Sequence, residues 1–384
     1  MTRAHPWLCA LTAPQRNSLI AAIVVICTTL LLYWFKFDSN ITGFFRIGSI
    51  LPLSPYLDPE TTTIIPNELG YDGQQFLTLA LDPFLNNPAS IAALDNPPFR
   101  YRRIFYPLLS YSLGFGNSAI IPYVMVLINS LAIVVIIWCI SDVLNRHTLP
   151  TWPALGILSI PGVWISLVFS TADLFNTMLI SLVIYNYHLK RPIWAALALT
   201  LATLTRETSL LIGIAWLITS GWNRKYQDLR YSIPALIPMI LWNYAVLTRF
   251  AATQIPGATD SFTIPLMGIM EKLTTLLNSG LNPKSIYDLY CFMLLILIIG
   301  VGIKLSLLDV KQNRLILISI SLYSMVFIMS SINILDYFFN YPRTFIDLYI
   351  LFFWISGISK VRYIQGTMMG GLLASSLFFL VGHS

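Results

Sequence analysis

Long apolar runs recur along almost the whole chain, and they restrict its fold more than any other feature. We place them at residues 18–35, 119–141, 152–170, 173–188, 231–248, 289–307, 314–333, 345–359 and 363–381. A run of about 18 residues is long enough for a helix to cross a ~30 Å hydrocarbon core. Only 10% of the residues are charged, whereas soluble domains carry about a quarter. The sequence therefore predicts an all-α, polytopic membrane protein with a single membrane domain over residues 1–384.

The stretch 193–220 is apolar except for Arg206 and Glu207 at its centre. Both of its flanks are basic, which favours the cytoplasmic side for both ends. We therefore predict a broken or re-entrant hairpin of two half-spans, 193–205 and 208–220. A half-span of about 13 residues reaches only ~20 Å, so the charged pair would lie within the outer half of the bilayer. Counting the hairpin as two crossings gives about 10–11 transmembrane helices.

The lysines and arginines of the short loops indicate that the N-terminus is cytoplasmic. In that orientation the two long loops, 36–118 and 249–287, lie outside. Loops longer than about 12–15 residues are usually functional or disordered. Within the first loop, QQFLTLAL from Gln74 and IFYPLLSYSLGF from Ile104 predict short helices that lie in the membrane interface. We therefore expect the chemistry of this protein on the extracytoplasmic side.

Other residue types narrow the kind of site. The net charge of +6 comes from basic residues scattered through short loops, which indicates membrane orientation and no nucleic-acid partner. The histidines fall on the cytoplasmic side or next to the C-terminus, at His5, His147, His188 and His383. An outer general base must therefore be Asp or Glu. No motif indicates an organic cofactor, and although outer carboxylates could bind a divalent cation, no ligand spacing indicates a metal site.

The segment Tyr71-Asp72-Gly73-Gln74-Gln75 of the first outer loop provides the strongest catalytic candidate. Asp72 is a carboxylate beside a glycine that permits a tight backbone, with Tyr71 and the polar Gln74 next to it, so it is a candidate for an outer functional carboxylate. The alternative is structural: Asp72 caps a helix and Gln75 completes a capping box. The two interpretations are compatible, because a capping carboxylate keeps one oxygen free.

Arg100-Tyr101-Arg102-Arg103 forms a dense basic cluster on the outer side, against the usual orientation bias. Arginine binds phosphate through two parallel hydrogen bonds. The functional interpretation of the cluster is therefore a phosphate or pyrophosphate headgroup. The alternative is that these side chains extend to the phosphates of bulk lipid. Both interpretations place a lipid phosphate at this cluster.

Further charged residues belong to the predicted spans or to the short turns between them. Arg206 and Glu207 are functional candidates because charges within the membrane are costly, and the alternative is an ion pair that closes the hairpin. Asp173 either supports the site or caps the helix that begins there. Arg343, in an outer turn near Asn340, either binds phosphate or anchors the turn in the interface.

GYDGQQF, followed by RYRRIFYPLL and by Thr-Arg-Glu-Thr in a broken apolar run, resembles a group of bacterial multi-spanning proteins linked to cell-surface glycopolymer formation. More broadly, the chain is similar to the GT-C superfamily, whose members use polyprenyl-phosphate sugars and carry a catalytic Asp or Glu in a large first outer loop. The resemblance implies a GT-C-like fold in the bacterial inner membrane. It implies that Asp72 acts as base and that Arg102, Arg103 and Arg206 bind the donor phosphate.

We therefore expect sugar transfer from a polyprenyl-phosphate donor to a hydroxyl of a glycan, lipid or protein acceptor, with inversion. The first alternative is a transporter or flippase of a lipid-linked glycan. Such a protein would usually show internal repeats with corresponding interrupted spans, and only one interrupted span is evident here. The second alternative is a polymerase or ligase of lipid-linked oligosaccharides, which differs in the acceptor rather than in the chemistry.

Overall fold

The computed structural model describes residues 11–251, 261–280, 282–308, 310–359 and 362–382. His5, Cys9, His383 and part of the 249–287 loop lie outside these ranges. About 75% of the structure is helical and nearly all of its regular elements are helices, which confirms the all-α prediction. The exception in the described ranges is a short parallel pair of strands, β1 (Ile47–Gly48) and β2 (Ile64–Ile65).

The N-terminal part consists of one long helix and a segment of short helices. Helix α1 (Ala13–Leu31) continues as a π-helical turn, Leu32–Lys36, and a 3-10 turn follows at Ile41–Phe45. Residues 36–118, named the first outer segment because the sequence predicts them outside, then form α2 (Asp72–Leu81), α3 (Pro88–Ala92), α4 (Pro97–Tyr101) and α5 (Phe105–Leu113).

The central part contains the longer helices that pack around the site. They are α6 (Ile121–Arg146), α7 (Pro161–Val168), α8 (Ala172–His188), α9 (Pro192–Thr205), α10 (Leu210–Trp222), α11 (Leu229–Ser232) and α12 (Ile237–Arg249). Short 3-10 segments connect them at Trp152–Ser159, Glu207–Ser209, Tyr226–Asp228 and Pro234–Leu236.

The C-terminal part begins with a helix in the second outer loop and ends with apolar helices. It comprises α13 (Met267–Asn278), α14 (Pro283–Leu308), α15 (Val310–Met329), α16 (Ile332–Leu335), α17 (Tyr341–Thr344), α18 (Ile346–Ile358) and α19 (Arg362–Gly382).

Four helical stretches in the described part are long and apolar enough to cross a membrane by themselves. They are Ala13–Lys36, Ile121–Arg146, Tyr226–Arg249 and Pro283–Leu308. Four shorter apolar helices accompany them, at Pro192–Thr205, Asn313–Met329, Ile346–Ile358 and Ile364–Leu380. These helices are consistent with a membrane protein, whereas the number of 10–11 crossings stays a prediction.

The prediction that residues 152–170 form one continuous helix is wrong. The chain forms a 3-10 segment that ends at Ser159, and α7 then begins at Pro161. Proline lacks the N–H that would continue the ladder and disfavours a helical residue before it, so Ile160 is extended. The break lets Gly162 pack closely on the carbonyl of Pro342, in the turn that carries Arg343.

The expectation that the QQFLTLAL helix lies in the membrane interface is wrong. Every residue from Gly73 to Leu81 is buried, so α2 is enclosed by the first outer segment and its neighbours. Gly73 shows how close the packing is, because a Cβ there would lie 2.1 Å from the carbonyl oxygen of Phe169. The buried helix fixes the position of Asp72 at its first turn.

The 193–220 stretch is interrupted where the sequence places its charged pair. Helix α9 ends at Thr205, Arg206 is extended, and α10 begins at Leu210. Helix α10 runs in the opposite direction to α9 along α8, since Ser209 donates to Asn176 near the start of α8 at 2.6 Å and the Trp216 ring lies 6.1 Å from the ring of Tyr187 near its end. The interruption therefore forms the tip of a hairpin, and the tip carries Arg206 and Glu207.

Candidate functional site

A polar cavity of about 400 Å³ lies where the first outer segment meets the turn between α16 and α18. Side chains from several parts of the chain line it, including Tyr71, Asp72, Asp95, Arg100, Asn340 and Arg343. Most of these residues are charged or can form hydrogen bonds. Polar groups converging in one concavity are typical of a binding or active site.

Asp72 lies in this cavity between two arginines from distant parts of the chain. Its Oδ1 accepts a hydrogen bond from Nη1 of Arg100 at 2.7 Å, and its Oδ2 accepts one from Nη1 of Arg343 at 2.6 Å. The Asp72 side chain keeps 18% of its surface exposed. The carboxylate is therefore held on both oxygens but still faces the cavity.

The alternative that Asp72 caps a helix together with Gln75 is wrong. The N-cap of α2 is Tyr71, and no side chain caps this helix. Gln75 instead accepts a hydrogen bond from the backbone N–H of Asp95 at 3.1 Å. Asp72 is the first helical residue, so its carboxylate gains from the helix dipole while both its oxygens bind arginine.

The two arginines each bind a second carboxylate, which extends the ion pairs into a chain. Arg100 donates to Asp95 through Nε at 2.8 Å and Nη2 at 2.6 Å. Arg343 donates through Nη1 to Asp173 at 2.8 Å. The other oxygen of Asp173 pairs with Arg206. Acidic and basic groups therefore alternate from Asp95 to the hairpin tip, which offsets the cost of burying each charge.

Asp173 holds two guanidinium groups rather than capping its helix. The N-cap of α8 is Thr171, and it makes no side-chain cap; Asp173 lies in the first turn. Its side chain is only 4% exposed and its two oxygens face Arg206 and Arg343. The capping alternative for Asp173 is therefore wrong, and Asp173 fixes two of the arginines that the sequence assigns to phosphate.

The rest of the basic cluster divides between two environments. Arg103 pairs with Glu207 at the hairpin tip, through Nε at 2.9 Å and a second bond from Nη2, and its guanidinium lies 4.3 Å from the ring centre of Phe99. The alternative ion pair that closes the tip therefore exists, although its partner is Arg103 and not Arg206. Arg102 makes no ion pair with any described residue.

Three of the arginines assigned to phosphate retain an unused donor. The Nε–H groups of Arg102, Arg206 and Arg343 are buried and have no hydrogen-bond partner among the described residues. In Arg343 both carboxylates bind Nη1, so the Nε side of its guanidinium is left for another acceptor. A buried charged donor without a partner is costly. Of these three arginines, Arg343 is the one that lines the cavity.

Charge on the neighbouring arginines controls the protonation of Asp72. Burial alone would raise the pKa of this carboxyl, but the positive charges of Arg100 and Arg343 more than offset burial and hold the pKa below its usual range. Burial raises the pKa of Tyr71. Tyr71 therefore stays protonated, and its hydroxyl donates to Oδ1 of Asn340 at 2.9 Å.

The two residues assigned to support Asp72 differ in position. Tyr71 lines the cavity, and its ring centre lies 4.8 Å from the guanidinium carbon of Arg343. Gln74 does not line the cavity; it is buried and accepts a hydrogen bond from the backbone N–H of Gly48 at 3.0 Å. Gln74 therefore holds β1 against α2 rather than contacting a ligand.

No family model, curated protein or solved structure matches this chain. The argument for function therefore depends on the site itself. Within the described ranges, no group of three His, Cys, Asp or Glu side chains is arranged to hold a metal ion.

The sequence assignments missed Arg100 and Asp95. Arg100 belongs to the basic cluster, but no spacing signal set it apart from Arg102 and Arg103, because the helix that carries it ends at Tyr101. Asp95 carried no signal either, since only folding brings its carboxylate to Arg100.

Proposed function

We propose that this protein is a GT-C-type glycosyltransferase that moves a sugar from a polyprenyl-phosphate donor to an acceptor hydroxyl at the extracytoplasmic face of the membrane. One observation carries the proposal. Asp72 and Arg343 line the same polar cavity, and Arg343 binds Asp72 through Nη1 while its buried Nε–H has no partner among the described residues. The Arg343 guanidinium therefore contacts the candidate base through Nη1 and keeps Nε–H for an anion.

The donor phosphate binds the Nε side of Arg343 in this proposal. Arg206 and Arg102, which also keep a buried unpartnered Nε–H, are the further candidates for phosphate contacts. Charge-assisted hydrogen bonds from guanidinium to phosphate are short and strong. They become stronger as negative charge develops on the leaving phosphate, which is the condition for stabilising a transition state.

The reaction is a single displacement. The acceptor oxygen forms a bond to the anomeric carbon, and the bond from that carbon to the phosphate oxygen breaks with its electron pair on the phosphate. The acceptor proton passes to Asp72. Because the acceptor attacks opposite the leaving group, the configuration at the anomeric carbon inverts. No organic cofactor is required.

Donor binding would also adjust the basicity of Asp72. Two arginines lower its pKa, which makes the carboxylate a weak base. A phosphate on Arg343 adds negative charge beside Asp72 and opposes the effect of the guanidinium. The pKa of Asp72 therefore rises when the donor is bound, so the base is strengthened only in the complex that needs it.

The test is transfer from a panel of radiolabelled polyprenyl-phosphate sugars to an envelope extract, with purified wild type and Asp72→Asn in detergent. We expect the variant to lose about 10²–10⁴-fold in rate, the usual contribution of a general base. Asp58→Asn is the matched control, because Asp58 is an exposed aspartate of the same outer segment, and it should transfer at the wild-type rate.

If the folded Asp72→Asn variant transfers sugar at the wild-type rate, Asp72 is not the general base. Transport of a lipid-linked glycan across vesicles, without transfer from any donor, would favour the flippase instead.

A further inference from the structure

Helix α13 in the second outer loop presents three different faces. At 100° per residue, Gly268 and Lys272 fall on one side, and both are buried. A second side carries large apolar residues with high exposure, 45% at Met267, 67% at Met270 and 81% at Leu277, and one exposed polar residue, Thr274, lies among them. The third side carries polar residues, namely Glu271, Thr275 and Asn278.

The buried face fixes α13 to the protein. A Cβ on Gly268 would lie 2.1 Å from the carbonyl oxygen of Ser330, so the helix backbone approaches that segment closely. The Lys272 side chain is 1% exposed, and its ammonium donates to Asp288 at 2.5 Å and to the carbonyl of Asp336 at 2.6 Å. A lysine is buried only when it is paired in this way.

The same ion pair reaches the turn that carries the cavity arginine. The Tyr341 hydroxyl donates to Asp288 Oδ1 at 2.9 Å, and the Lys272 ammonium lies 5.6 Å from the Tyr341 ring centre. Tyr341 begins α17, in which Arg343 lies. These contacts therefore fix the position of α13 relative to the turn that carries Arg343.

The exposed apolar face of α13 belongs to a helix that packs against a candidate membrane span. Helix α13 packs on α14, which is long and apolar enough to cross a membrane. The outward face of α14 carries Ile286, Leu289, Met293 and Leu297 at helical spacing, all of them exposed. An apolar face of α13 next to this surface, with a polar face beside it, has the pattern of a helix that lies in the membrane interface.

We propose that α13 lies on the outer surface of the bilayer, with Met267, Met270 and Leu277 in the lipid interface and Thr275 in water. Its partner is the lipid surface itself. This placement holds the Arg343 turn at the level of the lipid headgroups, where a lipid-linked phosphate would be found. This proposal is independent of the proposed sugar transfer, because it concerns only the contact between α13 and lipid.

The test uses single cysteines carrying an environment-sensitive fluorophore, in vesicles whose phospholipids carry a quencher at shallow or at deep acyl positions. Met270→Cys reports the apolar face and Thr275→Cys is the matched control on the polar face of the same helix. Cys9 and Cys27 are replaced by serine, since Cys27 is exposed whereas Cys139 and Cys291 are buried.

We expect at least twofold stronger quenching at position 270 than at 275, and stronger quenching by the shallow than by the deep lipid. Equal quenching at the two positions would overturn the proposal. Stronger quenching by the deep lipid would also overturn it, because the helix would then lie within the bilayer. Weak quenching at both positions would show that protein, such as a second copy of the chain, covers this face instead.

Discussion

At the scale of single residues, the site depends on how each guanidinium distributes its donors. Arg100 uses Nε, Nη1 and Nη2 for Asp95 and Asp72, so its donor groups are already engaged. Arg343 uses only Nη1 for its two carboxylates and keeps a buried Nε–H. Two arginines that look equivalent in the sequence therefore have different capacities for a phosphate.

The first prediction concerns Arg343→Lys. Lysine keeps the charge but lacks the planar fork that could hold both carboxylates and a phosphate. Loss of one charge-assisted hydrogen bond costs about 1.5–3 kcal/mol, so the affinity for farnesyl phosphate should fall about 10–100-fold. Titration calorimetry in nanodiscs measures this change.

Arg100→Lys is the comparison for that experiment, because Arg100 has no unused Nε–H. It should change the affinity much less than Arg343→Lys. A larger loss with Arg100→Lys would place the phosphate on the other arginine of Asp72.

The second prediction concerns pH. The pKa of Asp72 is lower in the folded protein than in the unfolded chain, so its ion pairs stabilise the fold above the unfolded value, about pH 4. This contribution is lost as the pH falls below that value. The difference in melting temperature between wild type and Asp72→Asn should therefore be constant from about pH 7 to 5 and shrink below about pH 4. A difference that grew in acid would contradict the assignment.

At the scale of secondary-structure elements, close backbone contacts place the helices that carry the charges. Helix α2 reaches the carbonyl of Phe169 at Gly73, next to Asp72, and α7 reaches the carbonyl of Pro342 at Gly162, next to Arg343. Neither contact leaves room for a side chain. These two glycines therefore set how far apart the carboxylate and its arginine lie.

The third prediction concerns Gly73→Ala. The added Cβ would lie 2.1 Å from the carbonyl oxygen of Phe169, so backbone has to move. Overpacking of this kind typically costs about 1–3 kcal/mol, which a lower thermal midpoint in detergent would show. Gly221→Ala is the control, because a Cβ at Gly221 meets nothing within 4 Å. Equal midpoints for the two variants would show that α2 adjusts without cost.

At the scale of the whole molecule, the proposed function requires that the cavity open on the outer side of the membrane. The orientation derives from the lysines and arginines in short loops such as 223–230. Both Glu60, in the first outer segment, and Gln227, in that basic loop, are exposed. They are therefore suitable positions for reporters of the two sides.

The fourth prediction concerns this orientation. In a background without Cys9 and Cys27, a membrane-impermeant maleimide should label Glu60→Cys in intact spheroplasts, and Gln227→Cys only after permeabilisation. The reverse pattern would put the cavity on the cytoplasmic side, where a nucleotide-linked donor would be available, and would contradict the proposed donor. As a control, both cysteine variants should be labelled after lysis, which shows that both positions are reactive.

The sequence by itself determined the class of structure. Long apolar runs with few charges favour helices, because a helix satisfies its backbone hydrogen bonds internally. It also determined the interruption at Arg206, because a charged pair in the middle of an apolar run is too costly to remain within a continuous lipid-facing helix. In both cases the physical cause acts over a few neighbouring residues, so the pattern alone reveals it.

Only the tertiary structure decided the partners of the charged side chains. Asp72 and Arg343 lie 271 positions apart in the chain, and Arg103 and Glu207 lie 104 apart. No local pattern encodes such a pairing. The capping interpretations of Asp72 and Asp173 were locally reasonable, since an acidic residue at a helix start gains from the dipole. Folding instead brings arginines into contact with both carboxylates. A full opposite charge at contact distance outweighs the partial charge of a helix end.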